Sequence, residues 1–294
     1  MKANLTVAKS FLLSCESELE EAISKLSLPV VIKPYDFGGS GGVYLAYTKD
    51  EARQKLRLSK QLIEKYKDKF KIKGNKFLIE EFIDSMDEVS VEVLCLKNSY
   101  ISLSITEKYL SDKPYFSEMA HLVPSHRNDD KNLHDLAHMA CRALGIDLGV
   151  AHVELKIKDN KAYVIEVGAR TGGDGIMDQV ENAFDVNPYF LHISSYLGKD
   201  LSYFTMPKSK QSCAIAFLKA KSGRIKKINE LEKLPKELSS IKITAKKGDL
   251  STEAKDWSAR EGVVEFVFKE KFKEKTFLPL SLSKKLSDEL FEVE

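Results

Sequence analysis

The sequence predicts an α+β fold built around antiparallel sheets, and three observations predict this class. Segments with strand-like composition recur at "LPVVIKP", "VYLAYT", "KFLIEEFI", "VSVEVLCL" and "YISLSIT". Segments with helical periodicity separate or follow them, at residues 16–26, 50–69 and about 131–145. A hairpin with period-two alternation follows at 151–168. This mixture of strands and helices favours an α+β architecture.

Composition places few limits on function but sets the broad class. A chain of 294 residues with 43% hydrophobic residues is long enough for two or more packed units. The formal net charge of +2 gives no reason to expect a nucleic-acid or membrane partner. The four cysteines are scattered and match neither a zinc pattern nor a disulfide framework. We therefore expect a protein of a reducing, cytoplasmic setting.

The central hairpin, "AHVELKIKDNKAYVIEVGARTGGDG", carries two carboxylates that alternation places on one face. A three-residue turn at 159–161 would put Glu154 directly opposite Glu166, with Cβ atoms about 5 Å apart. Two ionised carboxylates at that distance repel, so either one is protonated or a cation lies between them. Mg²⁺ suits such a pair when phosphate oxygens complete its shell. The alternative is a solvated hairpin whose polar face points to water.

The stretch "VVIKPYDFGGSGGVYL" contains the second candidate site. Lys33 ends an apolar strand, and the glycine-rich run 38–42 begins five residues later. A loop with little side-chain bulk lets backbone amides approach an anion, so the two together suit a phosphate. The order of lysine and glycines differs from both the P-loop and the dinucleotide-binding motif. A flexible surface turn is the competing interpretation.

Taken in order, these stretches resemble the ATP-grasp superfamily. "PVVIKP" with its glycine-rich loop is similar to the lid of that family, and "FLIEEFIDSMDEVSVEVL" to its hinge and nucleotide-binding segment. "VELK…VIEVGAR" is similar to its magnesium and catalytic core. The resemblance covers about residues 1–205 and is nearest to the carbamoyl-phosphate-synthase-like members, in particular the L-amino-acid ligases. It implies two α+β subdomains that enclose ATP.

The resemblance also implies a division of the chain. The expected parts are an N-terminal lead-in at 1–29, a lid subdomain at 30–98, a catalytic subdomain at 99–206 and a small C-terminal α+β domain at 207–294. The last part begins where the pattern changes to short strands with lysine-rich turns.

For the nucleotide, the resemblance assigns most contacts to the first half of the chain. Lys33 would contact the α- and β-phosphates, and the loop amides would close over the γ-phosphate. The hinge backbone would bind adenine while two of its side chains form an apolar slot, and Glu88 would bind the ribose hydroxyls. The loop residues are Gly38, Gly39, Ser40, Gly41 and Gly42, and the hinge residues are Glu80, Glu81, Phe82 and Ile83.

For the chemistry, the resemblance points to the second half. Glu154 and Glu166 would hold Mg²⁺, and Arg170 would stabilise negative charge during phosphoryl transfer. Glu118 and His121, in "YFSEMAHLVPS", have the spacing by which amino-acid ligases hold an amino-acid substrate. The carboxylate would pair with an ammonium, and the histidine would orient or deprotonate an attacking amine. A polar loop is the alternative there.

Two departures from the family pattern stand out. Gly168 occupies the position where many members have an asparagine that ligates metal. The family also begins with a Rossmann-like domain and an earlier ATP-binding lysine, and this chain starts too late to contain either.

The expected activity is that of an ATP- and Mg²⁺-dependent carboxylate-amine ligase that works through an acyl phosphate, with Mn²⁺ as a substitute metal. Small-molecule carboxylate and amine substrates are the expected partners, with no nucleic acid and no membrane. A second copy of the chain or a separate N-terminal domain is the expected protein partner. Two alternatives remain: a bicarbonate-activating enzyme of carbamoyl-phosphate-synthase type, and a nucleotide-binding remnant or half of a split enzyme that is inactive alone.

Overall fold

A computed structural model describes residues 5–72, 76–97 and 99–294. Its first unit is a four-stranded antiparallel sheet in the order β1-β4-β2-β3. Two helices, α1 (Leu19–Leu26) and α2 (Lys49–Phe70), pack against it through a common apolar core. The strands are β1 (Ser10–Leu13), β2 (Val30–Pro34), β3 (Tyr44–Ala46) and β4 (Phe77–Glu81).

Helix α2 has the cap, the buried stripe and the left-handed end residue by which a helix can be predicted from sequence. The Thr48 side chain caps its first turn by accepting from the Glu51 amide at 3.1 Å. Its buried stripe contains Ala52, Leu56 and Ile63, at helical spacing. The chain leaves the helix at Lys71, which adopts a left-handed backbone with φ of 54°.

The second unit is an eight-stranded antiparallel sheet in the order β12-β14-β10-β7-β6-β5-β8-β9. Helices α3 (Lys131–Ala143), α4 (Ile176–Phe184) and α5 (Pro188–Tyr196) cover it. Its strands are β5 (Glu88–Leu96), β6 (Ser99–Leu110), β7 (Glu118–Val123), β8 (Gly149–Lys158), β9 (Lys161–Gly168), β10 (Ser212–Leu218), β12 (Leu238–Ile243) and β14 (Gly262–Phe268).

The C-terminal region continues this large sheet rather than starting a separate one. Strand β10 pairs with β7, so residues on both sides of the expected 206/207 boundary share one sheet and one core. The rest of the region forms a small sheet of β11 (Gly223–Ile228), β13 (Leu250–Ser251) and β15 (Phe291–Val293), beside helix α6 (Leu278–Leu290). The other expected boundaries differ in a similar way: β1 joins the lid sheet from the lead-in, and β5 belongs to the large sheet.

The hairpin of β8 and β9 has the predicted register but reaches it by another route. The turn has two residues, Asp159 and Asn160, with φ of 51° and 59°, as in a type I′ turn. A turn one residue shorter than predicted would shift the pairing by one. A bulge in β9, where Leu155 pairs with Val164 and Glu154 with Glu166, restores it.

A second bulge lies in β7, in a stretch where a polar loop was the alternative. Tyr109 pairs with Ala120, and Leu110 pairs with Glu118, so one residue of β7 is extra. Residues three apart in a regular strand point to opposite faces. The bulge instead lets Glu118 and His121 meet on the same side.

None of the helices in the described residues is long and apolar enough to span a membrane.

We expect that Phe266→Ala lowers the free energy of unfolding by about 3–5 kcal/mol, because Phe266 is fully buried in the core shared by β7 and the C-terminal region. Phe190→Ala is the matched control: that ring is 57% exposed, and its loss should cost less than about 0.5 kcal/mol. Urea unfolding followed by circular dichroism measures both. Equal effects would contradict a core that spans the boundary.

Candidate active site

A cavity of about 800 Å³ lies between the four-stranded sheet and the large sheet. Its volume is in the range of small-molecule sites. Most of the predicted site residues line it: Lys33, Gly38, Gly39, Ser40, Glu80, Glu81, Phe82, Ile83, Glu88, Glu118, Glu154, Glu166 and Arg170. Gly41, Gly42 and His121 do not. The fold therefore brings two distant parts of the sequence to one place.

Lys33 connects the two sheets across this cavity. Its ammonium forms an ion pair with Glu80 at 2.7 Å and donates to the carbonyl of Ile165 at 3.3 Å. Ile165 lies in the bulged part of β9, next to Glu166. The lysine-bearing strand therefore lies beside the paired carboxylates, as the phosphate interpretation requires.

The glycine-rich loop is anchored at Ser40 and Gly42, in its second half, and exposed at its first two glycines. Gly42 is buried, and its carbonyl accepts from the Ser59 hydroxyl of α2 at 2.8 Å. A side chain at this position would collide with that hydroxyl, and its φ is 75°. Ser40 donates to the carbonyl of Phe116 at 2.8 Å, which connects the loop to the far wall. Gly38 and Gly39 remain exposed at the cavity, where amides can face a ligand.

The hinge presents an apolar and a charged side. Ile83 is buried, and the Phe82 ring lies 6.1 Å from that of Phe116. Glu88 is also buried and pairs with Lys156 at 3.1 Å. Burial raises the pKa of Glu88, and the charge of nearby Glu154 adds to this effect. The assignment of Glu88 to the ribose hydroxyls remains a prediction.

Glu154 lies at the centre of a chain of buried charged groups. One of its oxygens, Oε1, accepts from Lys108 at 3.0 Å and from His152 at 3.1 Å. His152 also contacts Glu92 at 2.6 Å, and Lys108 contacts Glu118 at 2.6 Å. The chain thus runs Glu92, His152, Glu154, Lys108, Glu118, and ends at His121, whose Nδ1 lies 2.7 Å from Glu118.

These contacts fix the ionisation of the chain. Burial opposes the charge of Glu154, yet Lys108 and His152 hold its pKa well below its usual range. In the same way, Lys108 and His121 hold the pKa of Glu118 far below its usual range. Glu118 and Glu154 hold the pKa of Lys108 well above its own. Glu92 and Glu154 raise the pKa of His152 to about 9, so its imidazole is charged at neutral pH.

Glu166 differs from the other carboxylates because no hydrogen bond or ion pair holds it among the described residues. Although its side chain reaches solvent, the cleft walls remove part of its hydration. This desolvation, and then the charge of Glu154, raise the pKa of its carboxyl. The positive charges of Lys33 and Arg170 act in the opposite direction. Two facing carboxylates, of which Glu166 has no ion-pair partner among the described residues, favour a divalent cation between them.

The donor set fits Mg²⁺ only with ligands from outside the protein. No group of three or more His, Cys, Asp or Glu side chains suited to a metal ion occurs within the described ranges. Oε2 of Glu154 has no partner among these residues, while Oε1 is oriented by Lys108 and His152. Such oriented carboxylates are typical metal ligands. Phosphate oxygens and water would have to complete the shell.

Arg170 is exposed at the cavity and donates to the Thr171 carbonyl at 2.9 Å. Gly168 lies beneath it: a Cβ there would be 3.3 Å from the Arg170 Cγ. The arginine stem therefore occupies the space above the position where the family pattern has an asparagine. Because the guanidinium is exposed and forms no ion pair with any described residue, it can face a phosphate.

Glu118 and His121 occupy different positions relative to the cavity. The Glu118 side chain reaches the cavity wall and is 13% exposed, whereas His121 is fully buried behind it. His121 Nε2 has no hydrogen-bond partner in the described part of the chain. In this arrangement His121 contacts Glu118 from behind and does not itself line the cavity, and its catalytic role remains a prediction.

Several residues of the site had not been assigned a role from the sequence. His152, Glu92 and Lys156 are charged residues within apolar strands, and this signal could have identified them. Gly172 lies close to the buried Glu92–His152 pair, since a Cβ there would lie 3.0 Å from Glu92 Oε2 and 3.1 Å from His152 Nδ1. Two residues from the C-terminal region, Trp257 and Arg260, line the cavity without any sequence signal.

Comparison with known proteins gives a consistent assignment. A family profile described as an ATP-grasp domain matches residues 26–178, just over half of the chain. A D-alanine--D-alanine ligase from Desulforudis audaxviator is 28% identical over 158 residues, which are 51% of this chain and 48% of that protein. The chain spans about half the length of the curated relatives it matches.

Solved structures agree on the fold. An L-amino acid ligase from Bacillus licheniformis superposes with a TM-score of 0.80 at 24% identity, covering 100% of this chain and 71% of that one. The biotin carboxylase domain of a 2-oxoglutarate carboxylase from Hydrogenobacter thermophilus, solved with MgADP and bicarbonate, has a TM-score of 0.64 at 14% identity. It covers 90% of this chain and 59% of the other. At these identities the likeness concerns the fold alone.

We expect that Gly172→Ala lowers the free energy of unfolding by about 1–3 kcal/mol, because the new methyl group would press on the buried Glu92–His152 pair. Gly173→Ala is the neighbouring control, since a Cβ added there would meet nothing within 4 Å. Chemical denaturation of both variants checks this. An unchanged free energy of unfolding in Gly172→Ala would mean that the Glu92–His152 pair can shift to make room for the methyl group.

We expect that Lys108→Met costs about 3 kcal/mol of stability at pH 7, because it leaves two buried carboxylates without their shared cation. The double variant Lys108→Met/Glu118→Gln should recover part of the loss, since one of those charges is then removed. Urea titrations of the two variants test this. No recovery in the double variant would argue against electrostatic coupling through Lys108.

Proposed function

The chain belongs to the ATP-grasp family, and we propose that it is an ATP- and Mg²⁺-dependent ligase that joins a carboxylate to an amine. The observation that carries this proposal is the meeting of Glu154 and Glu166 with Lys33 of the opposite sheet. Facing carboxylates beside a lysine and a glycine-rich loop are suited to a nucleoside triphosphate, and they have no evident use in a plain hairpin.

The nucleotide would lie in the cavity between the sheets. Its adenine would contact the hinge at 80–83, and its ribose would lie near the Glu88–Lys156 pair. Lys33 would exchange its contact with Glu80 for the α- and β-phosphates. The exposed amides of Gly38 and Gly39 would face the γ-phosphate.

Phosphoryl transfer requires charge neutralisation on the transferred group. Glu154 and Glu166 would hold Mg²⁺, which would supply positive charge to offset that of the phosphates. Arg170 would stabilise the charge that develops on the γ-phosphoryl oxygens. Lys108 and His152 would hold Glu154 ionised and correctly oriented. The substrate carboxylate attacks the γ-phosphorus, ADP leaves, and an acyl phosphate forms.

The second step is attack of an amine on the acyl carbon, with release of phosphate. The low pKa of Glu118 makes it a poor proton acceptor, so its role would be to hold an ammonium or amine group. The loop at 38–42, closed against Phe116, would exclude water from the acyl phosphate. An acyl phosphate that meets water is hydrolysed, and the energy of ATP is lost.

Amino acids are the substrates that we propose. The carboxylate of Glu118, at the proposed amine end of the cavity, suits a positively charged ammonium group better than it suits the bicarbonate anion. The structure that superposes on this whole chain with a TM-score of 0.80 is that of an L-amino acid ligase. The bicarbonate-activating alternative draws on the biotin carboxylase fold, whose likeness here is weaker.

Product analysis separates these activities. The purified chain is incubated with ATP, Mg²⁺ and mixtures of L-amino acids, and ADP release and new amides are measured. Amino-acid-dependent ADP release with a new amide, detected by mass spectrometry, is the expected result. Turnover with bicarbonate and ammonia alone would favour the alternative. Nucleotide binding without turnover by any mixture would favour a chain that needs a partner.

We expect that Glu166→Gln lowers Mg²⁺-dependent ADP formation at least about a hundredfold, because one of the two proposed metal ligands loses its charge. The fold should be retained, since Glu166 is exposed and has no ion pair among the described residues. ADP release and thermal unfolding are measured together, with Glu230→Gln, an exposed glutamate distant in sequence, as control. Near-normal ADP production would remove the metal assignment.

A further inference from the structure

A short turn of the C-terminal region, residues 256–260, reaches into the cavity. It comprises a 3-10 helix at Trp257–Ala259 and Arg260, and precedes β14. Asp256 stabilises the turn by accepting from the Ser258 amide at 2.8 Å. Trp257 and Arg260 both line the cavity, so one short segment contributes two side chains to the candidate active site.

Trp257 contacts the glycine-rich loop. A Cβ at Gly39 would lie 2.6 Å from the indole Cδ1, so any side chain there would collide with the ring. The indole also lies 6.4 Å from the Tyr66 ring and 6.3 Å from the Phe70 ring, at the end of α2. Trp257 thus covers the loop that is expected to close over the γ-phosphate.

Arg260 contacts the opposite, substrate-side wall. One guanidinium nitrogen pairs with Asp174 at 2.7 Å, and another donates to the carbonyl of Glu118 at 2.9 Å. The guanidinium carbon lies 3.5 Å from the centre of the Phe217 ring. The side chain is only 12% exposed, so these contacts fix its position. Arg260 therefore contacts two separate segments of the cavity wall, the start of β7 and the loop at 172–175, through a single group.

We propose that Arg260 is a positioning residue for the amine substrate, which it serves by fixing the backbone of Glu118 and the loop at 172–175. Trp257, three residues earlier on the same turn, connects this positioning to the glycine-rich loop. Binding of the nucleotide and of the amine is then coupled through the C-terminal region. The inference rests on the proposed function, because it assigns Glu118 to the amine.

The chemistry of arginine is needed for this role. A planar guanidinium can bond a carboxylate and a carbonyl in fixed directions while its face stacks on a ring. A lysine ammonium at the same position could keep a charge near Asp174 but could not make both bonds and the stacking contact. Arg260→Lys should therefore be impaired, although it keeps the charge.

The first test does not depend on knowing the substrate. Hydrogen exchange of the full chain is compared for the wild type, Arg260→Gln and Arg224→Gln. Arg224 is the matched control, since it is an exposed arginine of the same region that also donates to a backbone carbonyl, that of Gly248. We expect exchange about tenfold faster at 117–121 and 172–176 in Arg260→Gln only. Unchanged exchange there, or equal acceleration in the control, would overturn the proposal.

A second variant covers the case in which Arg260→Gln fails to fold. Asp174 is 45% exposed at its side chain, so Asp174→Asn should fold and still weaken the Arg260 contact. It should accelerate exchange at 117–121, where it makes no contact of its own. A change in exchange confined to 172–176 would show that Arg260 does not connect the loop at 172–175 to the start of β7.

Nucleotide coupling is measured with a non-hydrolysable ATP analogue and Mg²⁺. Trp257 is the single tryptophan of the chain, so its fluorescence reports binding at the loop. In the wild type the analogue should slow exchange at 117–121 about fivefold, and Arg260→Lys should lose this effect. Slowing that persists in Arg260→Lys would refute the coupling.

Kinetics then distinguish positioning from general damage. With an amino-acid substrate in hand, Arg260→Lys should raise the KM of the amine, measured at saturating ATP, about tenfold. The KM of ATP, measured at low amine concentration where the coupling does not contribute, should stay within about twofold. Equal changes in both would indicate a merely structural role. If the wild type shows no ligase activity, the proposed function fails. The exchange experiments still decide whether Arg260 fixes the start of β7 and the loop at 172–175.

Discussion

The site depends on one buried ammonium. Lys108 lies between Glu118 and Glu154, within 3.0 Å of both, and joins the proposed metal-binding end of the site to the proposed amine-binding end. Without it, two ionised carboxylates would face each other at low dielectric, which costs several kcal/mol. This constraint explains why β6, β7 and β8 must keep their mutual register. A change at either end of the site would be felt at the other.

Two β-bulges, in β7 and β9, direct carboxylates of these strands toward the cavity. A regular hairpin with the observed turn would pair Glu154 with Ile165, and a regular β7 would turn Glu118 and His121 to opposite faces. Each bulge inserts one residue and re-aims a carboxylate toward the cavity. The bulged part of β9 also presents the Ile165 carbonyl to Lys33. These two irregularities of the sheet therefore lie at the candidate site.

The C-terminal region is continuous with the large sheet and also supplies part of the cavity wall. Strand β10 continues the sheet beyond β7, and the turn at 256–260 returns to the cavity from the far side of β14. A separate module could shift relative to the rest, whereas a region that shares a sheet and a core holds its side chains in place. Because its position is fixed in this way, Arg260 is suitable for positioning the start of β7 and the loop at 172–175.

The sequence by itself determined what depends on local periodicity and composition: helix α2, the main strands, the pairing of Glu154 with Glu166, and the lysine with its glycine-rich loop. Its account of the turn was wrong in length, because a shorter turn and a bulge give the same register. Only the tertiary structure decided that His121 is buried, that Lys108 joins the two ends of the site, and that Trp257 and Arg260 reach it. The Arg260–Glu118 hydrogen bond, for example, joins residues 142 positions apart, and nothing in local sequence specifies which distant side chain will face another across a cavity.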